Sequence, residues 1–291
     1  MSMKESHISV PVRTLEGEGH CPMAYTDWAP QGEARPGLIL CLHGLTGNGR
    51  FFDEPARALS EAGYRVVCPD MVGRGKSGWL ARPKDYNVRH YFSHLEVLVS
   101  HLGARDITLI GTSMGGVLGM MLAAKAVTPL RRLVINDVGA VIPRKPMKYM
   151  RAYVGVDPRF ASMEEVEAHL RTIYAGAGPH EPAQWRALAE VASVRLEDGG
   201  YRLAFDPAIS KPLRWLPPFS LRLWHVWDAI ACPVLVLRGA ESPVLSAKVA
   251  ETMQKRGPKR VDCVELPGIG HAPSLMKPDQ IALILDWMKK N

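Results

Sequence analysis

The chain alternates short apolar runs with segments whose apolar positions recur every three or four residues. Runs of five or six residues lie at 38–42, 65–69, 107–111, 133–137, 234–238 and 261–266. They are nearly continuous rather than alternating, as strands are when a parallel sheet is covered on both faces. Segments 8–12 and 23–28 fit antiparallel edge strands. The intervening segments have helical spacing. In 89–102, Phe92, Leu95, Val99 and Leu102 fall on one stripe, and 113–127 is rich in Ala, Leu, Met and Gly. Segments 246–255 and 279–290 are amphipathic. Strand–helix alternation of this kind predicts βαβ units and an α/β fold, with a mostly parallel central sheet and helices on both faces.

One interval breaks the pattern. From 142 to 228 no comparable apolar run appears, and short helical patterns stand among prolines. Ser162-Met163-Glu164-Glu165 predicts a capped helix start, running to about Tyr174. Glu181-Pro182 predicts a second helix, to about Leu196. Trp185, Trp215, Trp224 and Trp227 also lie here. The expected division is a core of residues 1–141 and 229–291, with 142–228 inserted as a helical lid.

The chemistry sits at the ends of the strands. Gly111-Thr112-Ser113-Met114-Gly115 follows an apolar strand and precedes a helix, the setting in which G-x-S-x-G presents a nucleophile. A serine on so tight a turn takes strained backbone angles, and its neighbours must lack side chains. Its hydroxyl then stands beside a helix N-terminus, where free N–H groups favour developing negative charge. The hydroxyl needs a base. Gly270-His271-Ala272-Pro273 follows the last strand, so His271 reaches the same sheet edge. The loop Leu42-His43-Gly44-Leu45-Thr46-Gly47 follows the first parallel strand and can aim a backbone N–H at the same point. The Met114 N–H supplies a second donor. His43 itself reads as a structural hydrogen-bonding residue.

With these motifs in place, the sequence resembles the α/β-hydrolase superfamily, in its lidded, esterase-like branch. The resemblance rests on His43-Gly44, on Asp70-Met71-Val72-Gly73-Arg74-Gly75-Lys76-Ser77, on Gly111 to Gly115, on Asn136-Asp137-Val138-Gly139 and on Gly270-His271-Ala272-Pro273, in that order. It implies an α/β-hydrolase fold with a lid between the sixth and seventh strands. It implies Ser113 as nucleophile, His271 as base, and Leu45 and Met114 as oxyanion donors. Serine rather than aspartate at 113 sets the chain apart from dehalogenase and epoxide-hydrolase relatives. The third member of the triad departs from the common pattern. Relatives often carry an acid after the seventh strand in a stretch like R-G-x-x-S-D, whereas here Arg238-Gly239-Ala240-Glu241-Ser242-Pro243 puts proline at that place. Two carboxylates stay open as the orienting acid: Asp137, ending the sixth strand, and Glu241.

The expected activity is hydrolysis of a small ester with an apolar moiety, by an acyl-enzyme route that needs no metal or cofactor. Trp185, Trp215 and Tyr149 are expected to line the substrate pocket. Two further readings use the same scaffold: cleavage of a carbon–carbon bond or lactone at the same serine, and a non-catalytic binding protein.

Composition adjusts this picture only slightly. The 291 residues are 47% hydrophobic and 22% charged, which excludes disorder or a coiled coil as a description of the whole. No apolar stretch is long enough to span a membrane. The polar start shows no secretory signal. Cys21, Cys41, Cys68, Cys232 and Cys263 are odd in number, and none forms a C-x-x-C. They read as free thiols in a reducing compartment, which points to the cytoplasm. The formal charge is +7, but the basic residues look spread along the chain. That distribution reads as solvated surface rather than a site for anionic partners, and the cluster Arg144, Lys145, Lys148 and Arg151 as wet surface rather than a device that steers an anionic substrate; no nucleic-acid partner is expected. Gly75-Lys76-Ser77 is no P-loop, because Asp70 stands where the first glycine belongs. His90, His94 and His101 share a helix face without the H-E-x-x-H zinc pattern.

Overall fold

The structure is a computed structural model that describes residues 3–215 and 218–291. Its centre is an eight-stranded sheet. The strands are β1 (Met3–Arg13), β2 (Glu18–Trp28), β3 (Leu38–Leu42), β4 (Arg65–Pro69), β5 (Ile107–Thr112), β6 (Leu130–Asn136), β7 (Val234–Gly239) and β8 (Val261–Leu266). Their order is β1-β2-β4-β3-β5-β6-β7-β8. The β1–β2 hairpin and the β2–β4 pair are antiparallel, and the pairs from β4 through β8 are parallel. The two early segments are thus one long hairpin at one side of the sheet, with only β1 at the edge.

Burial on both faces explains the apolar runs. Leu38, Leu40 and Leu42 of β3 point to one side, with Leu109 and Ile135, and pack against α2 (Val88–Leu102), α3 (Met114–Ala123) and α8 (Ala247–Gln254). Ile39 and Cys41 point the other way, with Val66, Ile110 and Val134, onto α1 (Asp53–Glu61) and α9 (Pro278–Lys289). Fully burying one such side chain stabilises the fold by about 1.5–3 kcal/mol. Helix α3 stops at Ala123 rather than at Val127, because Lys125 to Val127 turn out into solvent.

The excursion between β6 and β7 holds α4 (Arg144–Val154), α5 (Met163–Ile173), α6 (Pro182–Ala192) and the short α7 (Trp224–Asp228). It is not purely helical. Arg159–Phe160, Ser193–Arg195 and Tyr201–Leu203 form a small antiparallel sheet, and Val141–Ile142 pairs with Leu221–Arg222. Helix α6 therefore ends at Ala192, where the chain extends to join that sheet. The Ser162 hydroxyl accepts from the Glu165 N–H, and the Glu165 carboxylate accepts from Ala161 N–H at 2.8 Å, one residue before the reciprocal partner expected. Backbone hydrogen bonds are among the contacts that tie the excursion to the core. Gly75 N–H donates to Ala204 O and Asp206 N–H to Gly73 O, while Gly270 N–H donates to Gly176 O at 2.7 Å. The last of these lies directly beside His271. Among the described residues no helix is long and apolar enough to cross a membrane.

Candidate active site

Ser113 lies between β5 and α3 with φ 51° and ψ −110°. A non-glycine residue at such angles costs on the order of 1–3 kcal/mol and persists only where its surroundings hold it. Here Ser113 N–H donates to Asn136 O at 2.9 Å, and Val117 N–H donates to Ser113 O at 3.1 Å. The glycines are there for lack of space. A methyl group on Gly115 would run into the Leu42 carbonyl, and one on Gly111 into the backbone of Gly115 and Gly116.

His271 meets the serine although it lies 158 residues away. Its Nε2 is 3.0 Å from Ser113 Oγ, and its Nδ1 is 2.7 Å from Asp137 Oδ2. With Nδ1–H donating to the carboxylate, Nε2 is left to accept the serine proton. Asp137 follows β6 directly at φ 57° and is wholly buried. It also accepts from Gly239 N–H at 3.0 Å and from the Ser242 hydroxyl at 2.6 Å. So the end of β7 and the loop after it, where Pro243 stands, supply donors to a carboxylate that arrives from the neighbouring strand. Glu241 is not part of this group. Its side chain is exposed, and among the described residues it makes no hydrogen bond or ion pair with Ser113, His271 or Asp137. Asn136 joins the two loops, donating to Thr112 Oγ1 at 3.0 Å and to Pro273 O at 2.8 Å.

The loop after β3 forms the opposite wall. His43 Nε2 accepts from Met71 N–H at 2.9 Å, so the proton sits on Nδ1, which donates to Gly44 O at 2.6 Å. Arg74, also wholly buried, donates from Nε to Leu45 O at 2.9 Å and from Nη1 to Tyr91 Oη at 2.6 Å. These contacts fix residues 43–45 while leaving the Leu45 N–H free. Among the described residues neither the Leu45 nor the Met114 amide has a protein acceptor. Asp70 accepts from Gly49 N–H at 2.7 Å and Lys76 N–H at 2.8 Å, so the Gly75-Lys76-Ser77 turn wraps a carboxylate.

Burial pushes the His43 pKa down from 6.5 to about 3, and that of His94 down to about 4. Below about pH 6.5 the unfolded chain takes up protons that the folded form refuses. The stability these two histidines contribute is therefore complete above pH 6.5 and is lost as pH falls. The loss between pH 7 and pH 5 is on the order of a few kcal/mol for the two together. Urea midpoints should fall between pH 7.5 and pH 5, less so for His94→Gln. An unchanged midpoint would contradict this. On the α2 face, His94 Nε2 lies 3.0 Å from Pro11 O and His101 Nε2 lies 3.4 Å from Tyr25 Oη.

Over Ser113 and His271 lies a cleft of about 140 Å3, lined by Leu45, Phe51, Met150, Tyr174 and His180 among others. Thr46, Tyr153, Ile173 and Tyr174 separate it from a second chamber of about 130 Å3. A cavity of about 150 Å3 holds a benzene-sized molecule, so each chamber suits a group of a few carbons. Thr46 Oγ1 and Tyr174 Oη lie 3.0 Å apart in the partition.

The three aromatics expected in the pocket are elsewhere. Trp185 is buried behind it, between the His180 ring at 4.4 Å and the Arg171 guanidinium at 5.1 Å, as part of the excursion's own small core. Tyr149 and Trp215 are 75% and 85% exposed on the outer surface. The side chains that do line the cleft, Phe51 and Tyr174, pack edge to face at 5.8 Å. Phe51 precedes α1, a helix that sequence patterning did not show.

Comparison with known proteins comes out consistently. A profile of the alpha/beta hydrolase fold matches residues 37–278. A 3-hydroxybutyrate-oligomer hydrolase of Cupriavidus necator is 41% identical over 280 residues, 94% of either chain. The crystal structure of an alpha/beta hydrolase from Novosphingobium aromaticivorans superposes with a TM-score of 0.83 at 32% identity, covering 98% of this chain and 99% of that one. A Rickettsia typhi crystal structure superposes over the full length of both chains with a TM-score of 0.88 at 30% identity.

Proposed function

The chain belongs to the alpha/beta hydrolase family, and from that membership we propose that it hydrolyses esters of short hydroxy acids through an acyl-enzyme on Ser113. One observation carries the proposal: the continuous path from Ser113 Oγ through the His271 ring to the buried Asp137 carboxylate. His271 Nε2 takes the hydroxyl proton as Oγ bonds to the ester carbonyl carbon. The oxygen that gains charge is held by the Leu45 and Met114 N–H groups, and losing one such donor costs about 3–4 kcal/mol. The tetrahedral intermediate collapses as His271 protonates the departing alkoxide. Water then attacks the acyl group with the same histidine as base, releasing the acid and restoring Ser113. Asp137 orients the ring and stabilises its protonated form. The excursion 142–228 acts as a lid, since it supplies Met150, Tyr153, Tyr174 and His180 to the cleft.

Two features support the substrate class. The Cupriavidus necator relative is a hydrolase of 3-hydroxybutyrate oligomers. The paired chambers, mainly apolar with interspersed hydroxyls, suit a chain in which ester oxygens alternate with short hydrocarbon stretches. The same relative favours ester over carbon–carbon cleavage. All five cysteines are free thiols, which suits the cytoplasm. The test is hydrolysis of a linear 3-hydroxybutyrate dimer and of p-nitrophenyl butyrate by the purified chain. Both should be cleaved, and Ser113→Ala should cleave neither. Turnover of a diketone ring-cleavage product with both esters untouched would overturn the ester reading.

A further inference from the structure

Tyr149 and Trp215, absent from the cleft, share an outer surface with the basic cluster that opens the excursion. Segments 138–156 and 207–227 contain Arg144, Lys145, Lys148, Arg151, Lys211, Arg214 and Arg222, and no Asp or Glu. The formal charge of the whole chain is +7, so these seven account for all of the excess, and the other 29 cations are matched by 29 carboxylates. The positive charge is therefore not spread, as its distribution along the sequence suggests. All seven side chains are exposed. Arg159, Arg171 and Arg186 of the excursion are paired with Asp157, Glu167 and Glu164, whereas these seven, like Arg195 and Arg202, have no carboxylate in ion-pair reach among the described residues.

The two segments are one surface. Val141–Ile142 pairs with Leu221–Arg222, Arg144 N–H donates to Ser220 Oγ at 3.3 Å, and α4 packs against the turn Pro207–Trp215. Among the charges stand Tyr149, Trp215 and Phe219, which are 75%, 85% and 65% exposed. Helix α4 turns Met147, Met150 and Tyr153 inward, the last two to the cleft, and presents Lys145, Lys148, Tyr149 and Arg151 outward.

We propose that this surface docks the protein on an anionic phospholipid bilayer. Its cations meet the headgroups, and its three aromatic side chains enter the interfacial layer, where amphipathic rings are favoured. Duplex nucleic acid would engage the charges and leave Trp215 and Phe219 in water; a lipid surface engages both. Each cation near such a surface strengthens binding about fivefold, and the attraction fades within a Debye length.

The test is cosedimentation of the full chain with phosphatidylcholine vesicles, with and without phosphatidylserine. Binding to the phosphatidylserine vesicles alone, reversed by added salt, is expected. K145E/K148E/R151E should weaken it at least about 100-fold, and W215A/F219A should weaken it about tenfold, both with an unchanged melting temperature. No binding to anionic vesicles at low salt, equal binding to neutral ones, or retention by either variant would overturn the proposal. Tighter binding of a single- or double-stranded oligonucleotide than of anionic vesicles would overturn it in favour of a nucleic-acid surface.

Discussion

Ser113→Ala and His271→Gln should each lower kcat on a short ester about 10⁶-fold, and the double variant should fall no further. The reason is that neither group acts alone. The serine hydroxyl is a poor nucleophile until its proton has somewhere to go, and the acceptor 3.0 Å away is His271 Nε2. Removing either member therefore removes the whole covalent route. What survives is binding together with the Leu45 and Met114 amides, about 10³–10⁴-fold over water. Single-turnover kinetics on the two single variants and the double variant measure this. Losses that multiply would mean that the two side chains work at separate steps or separate sites.

Asp137→Asn should lower kcat about 10⁴-fold, while Glu241→Gln should leave it within about twofold. The carboxylate of Asp137 takes donors from His271, Gly239 and Ser242 at once. An amide of the same shape keeps the packing but offers an N–H where the ring needs an acceptor, so Nε2 rather than Nδ1 carries the proton and the serine loses its base. Because the substitution is nearly isosteric, the loss should fall on kcat much more than on KM. The Glu241 side chain is exposed and touches none of these groups. A large loss in Glu241→Gln with little in Asp137→Asn would reverse the assignment of the orienting acid.

Most of the core was legible in the sequence because parallel strands buried on both faces have to be apolar throughout. The runs at 38–42, 65–69 and 261–266 coincide with β3, β4 and β8. Ser113 was legible because a strained turn with no room for side chains leaves a glycine pattern. His271 was legible because the order of elements puts it on the same sheet edge. Which of Asp137 and Glu241 lies beside His271 was not legible. It depends on β6 and β7 being hydrogen-bonded neighbours, Asn136 beside Leu237, which is a tertiary fact. Helix α1 was missed because Ala56 and Leu59 make too short a stripe in nine residues that also include Pro55. The aromatics of the excursion were misplaced because composition shows that a segment has rings to bury without showing which way each one faces. The clustering of the excess charge was hidden for a similar reason. Its two halves lie far apart in the chain and meet through tertiary contacts: the ladder of Val141–Ile142 with Leu221–Arg222, the bond from Arg144 N–H to Ser220 Oγ, and the packing of α4 on Pro207–Trp215.

The central claim, that one serine is activated by this relay, is tested most directly by treating the intact protein with a fluorophosphonate and mapping the adduct by mass spectrometry. A single adduct on the peptide bearing Ser113, absent from Ser113→Ala and formed far more slowly in His271→Gln, is the expected result. Equal labelling of wild type and Ser113→Ala, or an adduct on another serine, would contradict it.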